Sequence, residues 1–249
     1  MLCLTLQLLG CNIIVMNLME EVQDKVLSLL AEKIDDFYLG GGTALAKFYF
    51  QHRTSDDLDF FTRAFDFGRI QNVLKLLGQN LGKPVEPVME RVEGGEFVRL
   101  CSYFLYLREE AGIKIDFVED YIKLIAPLKR VNGINVMSLE DIYLRKIYTV
   151  CGTQPQLDMT GRKTHMGRQE AKDFYDLYFL SHTFKGLSSF VNQHGTPNQI
   201  EGLIYWYRTY SRQNIKEGLA DLKISKKVDF RQMEKHFKKE VDQLIEAIT

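Results

Sequence analysis

The stretch FYLGGGTALAKFYFQHRTSDDLDFFT, Phe37 to Thr62, runs from a short apolar segment through three glycines and a helix-like segment into a second strand-like run. In DLDFFT the side chains alternate between faces, so Asp57 and Asp59 share one face while Leu58 and Phe60 point the other way, into a core. A strand that is acidic on one side and apolar on the other belongs to a sheet with one covered face.

From Met19, Val22, Val26, Leu29, Leu30 and Ile34 recur at helical spacing, which predicts an amphipathic opening helix. TALAKFYFQ reads as a helix beginning at Gly42 or Thr43, threonine being an acceptable N-cap. Phe67 to Leu81 is helical in pattern, and PVEPVMERV, EFVRLCSYFLYL and IKIDFVE read as three further strands. After a turn at VNGINV, Leu139 to Val150 and nearly everything beyond Arg168 read as helix, interrupted by the polar segment CGTQPQLDMTGRKTHMG. Alternating elements followed by clustered strands and then helices predict an α+β fold with a mixed sheet. The expected division is a sheet-containing domain over residues 16–137 and a helical domain over 138–249 that completes its site.

Composition narrows the chemistry. With 32 basic and 33 acidic residues among 249, the formal net charge is -1, so an anionic partner has to be met by a local patch. The 4 cysteines, Cys3, Cys11, Cys101 and Cys151, form no C-x-x-C pair and have no histidine at zinc-ligand spacing, which points to a reducing, cytoplasmic setting. The uncharged opening MLCLTLQLLGCNIIV has no basic flank for an export signal and meets Glu20 and Glu21 too soon for a membrane span, so no stable membrane association is expected. Translation from Met16 or Met19, an apolar element packed on the core and, last, an export signal ending in LLGC at Cys11 are the competing readings of this segment.

Two carboxylates a few ångströms apart repel, and a divalent cation between them relieves that. Hard oxygen ligands suit Mg2+ or Mn2+, which keeps waters and takes substrate phosphates as its remaining ligands. Asp116, in IKIDFV, sits on another predicted strand and is placed to add a third carboxylate for two-metal phosphoryl chemistry. Backbone N–H groups at Gly41, Gly42 and Thr43, opening a helix, form a candidate anion site for the phosphates. A glycine run alone is usually just a turn, and D-x-D occurs by chance; their order and spacing together are more specific.

LGGGTALAKFYFQHRTSDDLDFF resembles the signature of the DNA polymerase β-type nucleotidyltransferase superfamily, and more closely that of the AbiEii-type abortive-infection nucleotidyltransferase toxins. LEDIYLRKIYTV and RQEAKDFYDLYFL are similar to two later blocks of that family, so the resemblance covers about Phe37 to Leu180. It implies triphosphate binding at Gly41, Gly42 and Thr43, metal ligation by Asp57 and Asp59, and a phosphate ligand in Lys146. Asp173 becomes a site carboxylate that orients or deprotonates the acceptor. Arg53 and Ser55 match the motif as phosphate contacts, with a solvated Arg53–Asp56 pair as the other reading. Asp116 fits the third metal carboxylate, against a strand-end structural aspartate.

The function implied is transfer of a nucleoside monophosphate from a nucleoside triphosphate to an acceptor hydroxyl, with RNA such as a tRNA 3′ end as acceptor. The protein would be the toxin of a toxin–antitoxin or phage-defence pair, with a cognate antitoxin as partner. Transfer to a small molecule such as an antibiotic, and a degenerate binding protein of the same fold, are the alternatives; intact Asp57, Asp59 and Lys146 argue against the latter. Metal-dependent glycosyltransferases share D-x-D but lack the glycine–threonine block. Arg162, Lys163, His165 and Arg168 in the polar interruption, and the C-terminal lysines, are candidate RNA contacts. Tyr205 to Tyr210 offers stacking aromatics beside Arg208 and Arg212, though aromatics at helical spacing are more often core.

Overall fold

The computed structural model describes residues 18–31, 33–95, 98–108, 111–152, 155–157, 159–161, 163–165 and 167–247. Residues 1–15, Met16, Cys3, Cys11 and Arg162 lie outside them, and with them the readings of the apolar opening. The chain divides into two compact units, one of residues 1–43, 56–123 and 127–137, the other of 44–55, 124–126 and 138–249.

The first unit is built on a seven-stranded mixed sheet. Its strands are β1 (Phe37–Leu39), β2 (Asp57–Thr62), β3 (Val85–Arg91), β4 (Leu100–Arg108), β5 (Ala111–Glu119), β6 (Lys129–Val131) and β7 (Ile134–Val136). They lie in the order β3-β4-β5-β2-β1-β7-β6. β2 is parallel to β5 and antiparallel to β1, and β1 is parallel to β7. A helix over residues 18–30 (α1) contributes Val26, Leu27 and Leu30 to the core. Helix α3 (Phe67–Leu81) contributes Ile70, Val73, Leu74 and Leu77. It starts where the Asp66 carboxylate accepts the Arg69 N–H, and ends at left-handed Gly82. On the covered face, Phe117 packs edge-on to Phe37 and stacks on Phe60.

VNGINV is more than the expected turn: it is the β6–β7 hairpin, with Asn132 at φ 49° and Gly133 at φ 78°. Two successive positive φ angles are what a two-residue hairpin requires, and Asn-Gly supplies them at least steric cost.

The second unit is helical: α4 (Leu139–Cys151), α5 (Ala171–Phe179), α6 (Leu187–His194), α7 (Pro197–Thr209), α8 (Arg212–Asp221) and α9 (Phe230–Glu246), with a small hairpin of β8 (Pro155–Leu157) and β9 (Lys163–His165). α4 is capped by Ser138, whose hydroxyl accepts the Asp141 N–H. The core is aromatic: Phe174 touches Trp206, Tyr210, Phe230 and Phe237 with ring centroids 4.8–5.8 Å apart. Gly202 lets α7 approach α4, since a Cβ there would lie 2.7 Å from Cys151 Cβ. The aromatic cluster is thus split by the helical period. Trp206 and Tyr210 are core, whereas Tyr205 and Arg208 line a cavity of about 500 Å³ with His165, Glu201 and Ile245. Among the described residues no helix is long and apolar enough to cross a membrane.

Candidate active site

The glycine turn is fitted to the acidic strand. A four-residue α2 (Gly41–Ala44) continues directly into a π-helical turn over Leu45–Phe50. Gly41 has φ +65°, and a Cβ there would stand 2.0 Å from Asp59 Oδ2, so the position admits only glycine on both counts. Gly40 is confined less severely, its missing Cβ falling 2.8 Å from Met137 Sδ and from the Phe61 ring. Thr43 is not the N-cap: it lies inside the helix, buried, and its hydroxyl donates to the Asp57 carbonyl. That bond ties the turn to the first residue of β2.

On β2 the exposure alternates, with Asp57, Asp59 and Phe61 half-buried and Leu58, Phe60 and Thr62 buried. The parallel register with β5 sets Asp59 opposite Asp116 and Asp57 opposite Lys114. Paired residues of neighbouring strands share a face and lie about 5 Å apart, so three carboxylates and one ammonium form a two-by-two patch. Lys114 Nζ donates to Asp116 Oδ2 at 2.6 Å, and Ser102 Oγ from β4 donates to Asp116 Oδ1 at 2.5 Å. Burial works against the Lys114 charge, but the bond to Asp116 and the fields of Asp116, Asp57 and Asp59 outweigh it and raise its pKa. Asp116 is therefore positioned as the third carboxylate, yet both its oxygens are engaged.

Among the described residues no three of His, Cys, Asp and Glu form a cage for an ion. The donor set still fits Mg2+ or Mn2+, which is held in such sites by one or two carboxylates and completed by water and substrate phosphate. Asp57 and Asp59, half-buried on one face of β2, would supply that pair.

The second unit holds a buried ion cluster on α4 and α5. Asp176, with no exposed surface, accepts from Arg53 Nε at 2.7 Å and Nη2 at 2.8 Å, from Lys146 Nζ at 2.7 Å, and is 2.8 Å from His52 Nε2. Asp173, equally buried, accepts from Lys146 Nζ at 2.8 Å and from Arg168 Nε at 2.5 Å. Burial alone would raise both aspartate pKa values, but Lys146 with Arg53 and His52 holds Asp176 well below the usual range, and Lys146 with Arg168 holds Asp173 below it. Lys146 stays charged despite its burial because both aspartates face it. Burial lowers the His52 pKa, so the ring is neutral and donates through Nε2; among the described residues its buried Nδ1 has no hydrogen-bond partner.

One alternative falls here, and Lys146 proves to be buried in an ion cluster. Arg53 is not a solvated surface residue: its side chain is 4% exposed and grips Asp176 in a two-point fork. Lys146, expected as a phosphate ligand, is bonded to two aspartates with its side chain 8% exposed. Ionised and bonded to two cations, Asp173 is a poor proton acceptor and a good clamp for Lys146 and Arg168. Ser55 is half-buried on the segment that follows Arg53, and Gly42 is buried in α2. Sequence reasoning passed over Lys114 and His52. For Lys114 the signal was present, two residues before Asp116 on one strand face; for His52 nothing local marks its partner 124 residues away.

The nucleotidyl transferase AbiEii toxin family, of type IV toxin–antitoxin systems, has a family model that matches residues 26–247. The chain belongs to this family. The match takes in both units, and the glycine turn, acidic strand and ion cluster described above lie within it. An uncharacterised protein of Aquifex aeolicus (strain VF5) is 31% identical over 163 residues, which is 64% of this chain and 64% of that relative. JHP933 from Helicobacter pylori is similar in fold, with a TM-score of 0.56 at 16% identity over 94% of this chain and 92% of its own. So is MenT4, a nucleotidyltransferase toxin from Mycobacterium tuberculosis H37Rv, with a TM-score of 0.59 at 16% identity over 92% and 83%.

Proposed function

We propose that this AbiEii-family protein is a divalent-metal-dependent nucleotidyltransferase that transfers a nucleoside monophosphate to RNA, with a tRNA 3′ end as the acceptor, and that a cognate antitoxin restrains it. The observation that carries the reading is the acidic patch: Asp57 and Asp59 side by side on β2, with Asp59 pressed against Gly41. Asp57 and Asp59 would hold Mg2+ or Mn2+, which supplies charge neutralisation to the phosphates of an incoming triphosphate. Gly41 lets Asp59 lie against the turn, and the Thr43 bond to the Asp57 carbonyl fixes the turn against β2. The product side of the reaction is pyrophosphate, released as the acceptor hydroxyl attacks the α-phosphate.

RNA as acceptor is supported by exposed basic side chains on the second unit: Arg231, Lys235 and Lys239 recur four residues apart on α9, and Lys226 and Lys227 precede that helix. With the net charge near zero, such a patch is what would hold a polyanion, and the binding should weaken with salt. The test is incubation of purified protein with Mg2+, each labelled triphosphate in turn and total cellular RNA. Labelled RNA of tRNA size is expected, and alanine at the five basic positions should reduce it while sparing triphosphate binding. Label found only on small hydroxyl compounds would overturn the RNA assignment in favour of small-molecule transfer.

A further inference from the structure

The acidic patch contains a cation of its own. Lys114 stands on the carboxylate face, opposite Asp57 and two residues from Asp116, with its Nζ 2.6 Å from Asp116 Oδ2. Its side chain is 41% exposed, against 13% for Asp116, so the ammonium sits at the open side of the patch on a flexible stem. Lys146 is the contrasting case, its charge already shared by two buried aspartates.

We propose that Lys114 is a triphosphate-binding lysine, parked on Asp116 until a nucleotide and its divalent cation reach the patch. The inference rests on the nucleotidyltransferase reading of Asp57 and Asp59. Three carboxylates need positive charge, and Lys114 now supplies part of it. With a divalent cation held by Asp57 and Asp59 that contribution would be redundant, and the Lys114 ammonium would be free to turn on its stem to the denser anionic target of the phosphates. The exchange also returns one Asp116 oxygen to the site, leaving the other with Ser102. A lysine suits this role because its compact charge can turn from one acceptor to another, whereas an arginine fork would hold Asp116 at two points.

The test separates metal from nucleotide. Lys114→Gln is titrated calorimetrically with Mn2+ alone and then, in Mg2+, with each of the four triphosphates. The expected result is Mn2+ binding equal to or tighter than wild type, because a competing cation has gone, with triphosphate binding weaker by about 10-fold or more, the scale of one charge-assisted hydrogen bond. Unchanged triphosphate affinity would overturn the proposal, as would loss of both affinities together, which would make Lys114 a structural counter-charge. A second measurement uses the unaltered chain: amine acetylation read by peptide mass spectrometry. Lys114 is expected to become more reactive with Mg2+ alone and protected when triphosphate is added; indifference to both would overturn the proposal even if Lys114→Gln fails to fold. Wild-type protein that binds none of the four triphosphates would instead remove the nucleotidyltransferase reading beneath it.

Discussion

Asp176→Asn replaces a carboxylate by an amide of nearly the same shape and so removes charge with little change in volume. Asp176 has no exposed surface and faces Arg53 at two points, Lys146 and His52. After the change Arg53 faces an amide at both points of its fork, Lys146 keeps Asp173, which it shares with Arg168, and the new amide turns donor hydrogens toward at least one donor. Breaking a buried ion pair from one side costs about 3–5 kcal/mol, because the orphaned charge stays desolvated. At about 2–4 °C per kcal/mol for a chain of this size, the melting temperature should fall by roughly 6–20 °C. Circular dichroism melts and urea titrations of both proteins at pH 7 measure this directly. Lys146→Met should cost less, since Asp176 keeps the Arg53 fork and Asp173 keeps Arg168. A fall below about 2 °C for Asp176→Asn, or a larger one for Lys146→Met, would refute the view that Asp176 is the anchor of the cluster.

Asp57→Asn and Asp59→Asn should behave differently, leaving the protein folded because both side chains are only half-buried, while transfer activity is lost; a folded variant with near wild-type transfer would remove the metal assignment. Gly41→Ala and Gly82→Ala share a positive φ, +65° and +60°, but only the former meets an obstacle, Asp59 Oδ2 at 2.0 Å. Gly82→Ala should therefore cost only about 1–2 kcal/mol of backbone strain, and Gly41→Ala should cost more and abolish triphosphate binding. Stability should also fall on acidification. His52, Asp173 and Asp176 have lowered folded-state pKa values, so their contributions are present above the unfolded values and lost as pH falls, beginning near about 6.5 for His52 and steepening below about 4 for the aspartates. Lys146, shifted upward, contributes below about 10.4 and loses its contribution as pH rises through its folded value. Denaturation midpoints followed from pH 3 to 11 would show whether the plateau between these limits exists.

Much of the first unit was legible because its signals are local. Side-chain alternation placed Asp57, Asp59 and Asp116 on their strands, and DLDFFT and Phe67–Leu81 have the limits that period and capping predict. Other features escaped for physical reasons. The β6–β7 hairpin consists of two three-residue strands, too short to show alternation, though its Asn-Gly pair was a usable sign. The burial of Arg53 and Lys146 escaped because sequence shows charge but not burial, and their aspartate on α5 lies 123 residues from one and 30 from the other. A long-range ion pair leaves no periodic trace.

The interleaving of the two units bears on how the chain can be made and cut. Residues 44–55 belong with the helical unit although they emerge early from the ribosome, and they are stitched to its far end: Thr54 N–H to the Lys223 carbonyl, and the Ser225 and Lys226 N–H groups to the His52 carbonyl. His52 and Arg53 must wait through more than a hundred residues of synthesis for Asp176, and longer for residues 223–226. A fragment starting at Ser138 would carry Asp176 into its interior without His52 and Arg53, so the helical unit should not survive excision at that point. Native partners for the early segment exist only once the late helices have been translated, which makes completion of the helical unit a late event in biosynthesis.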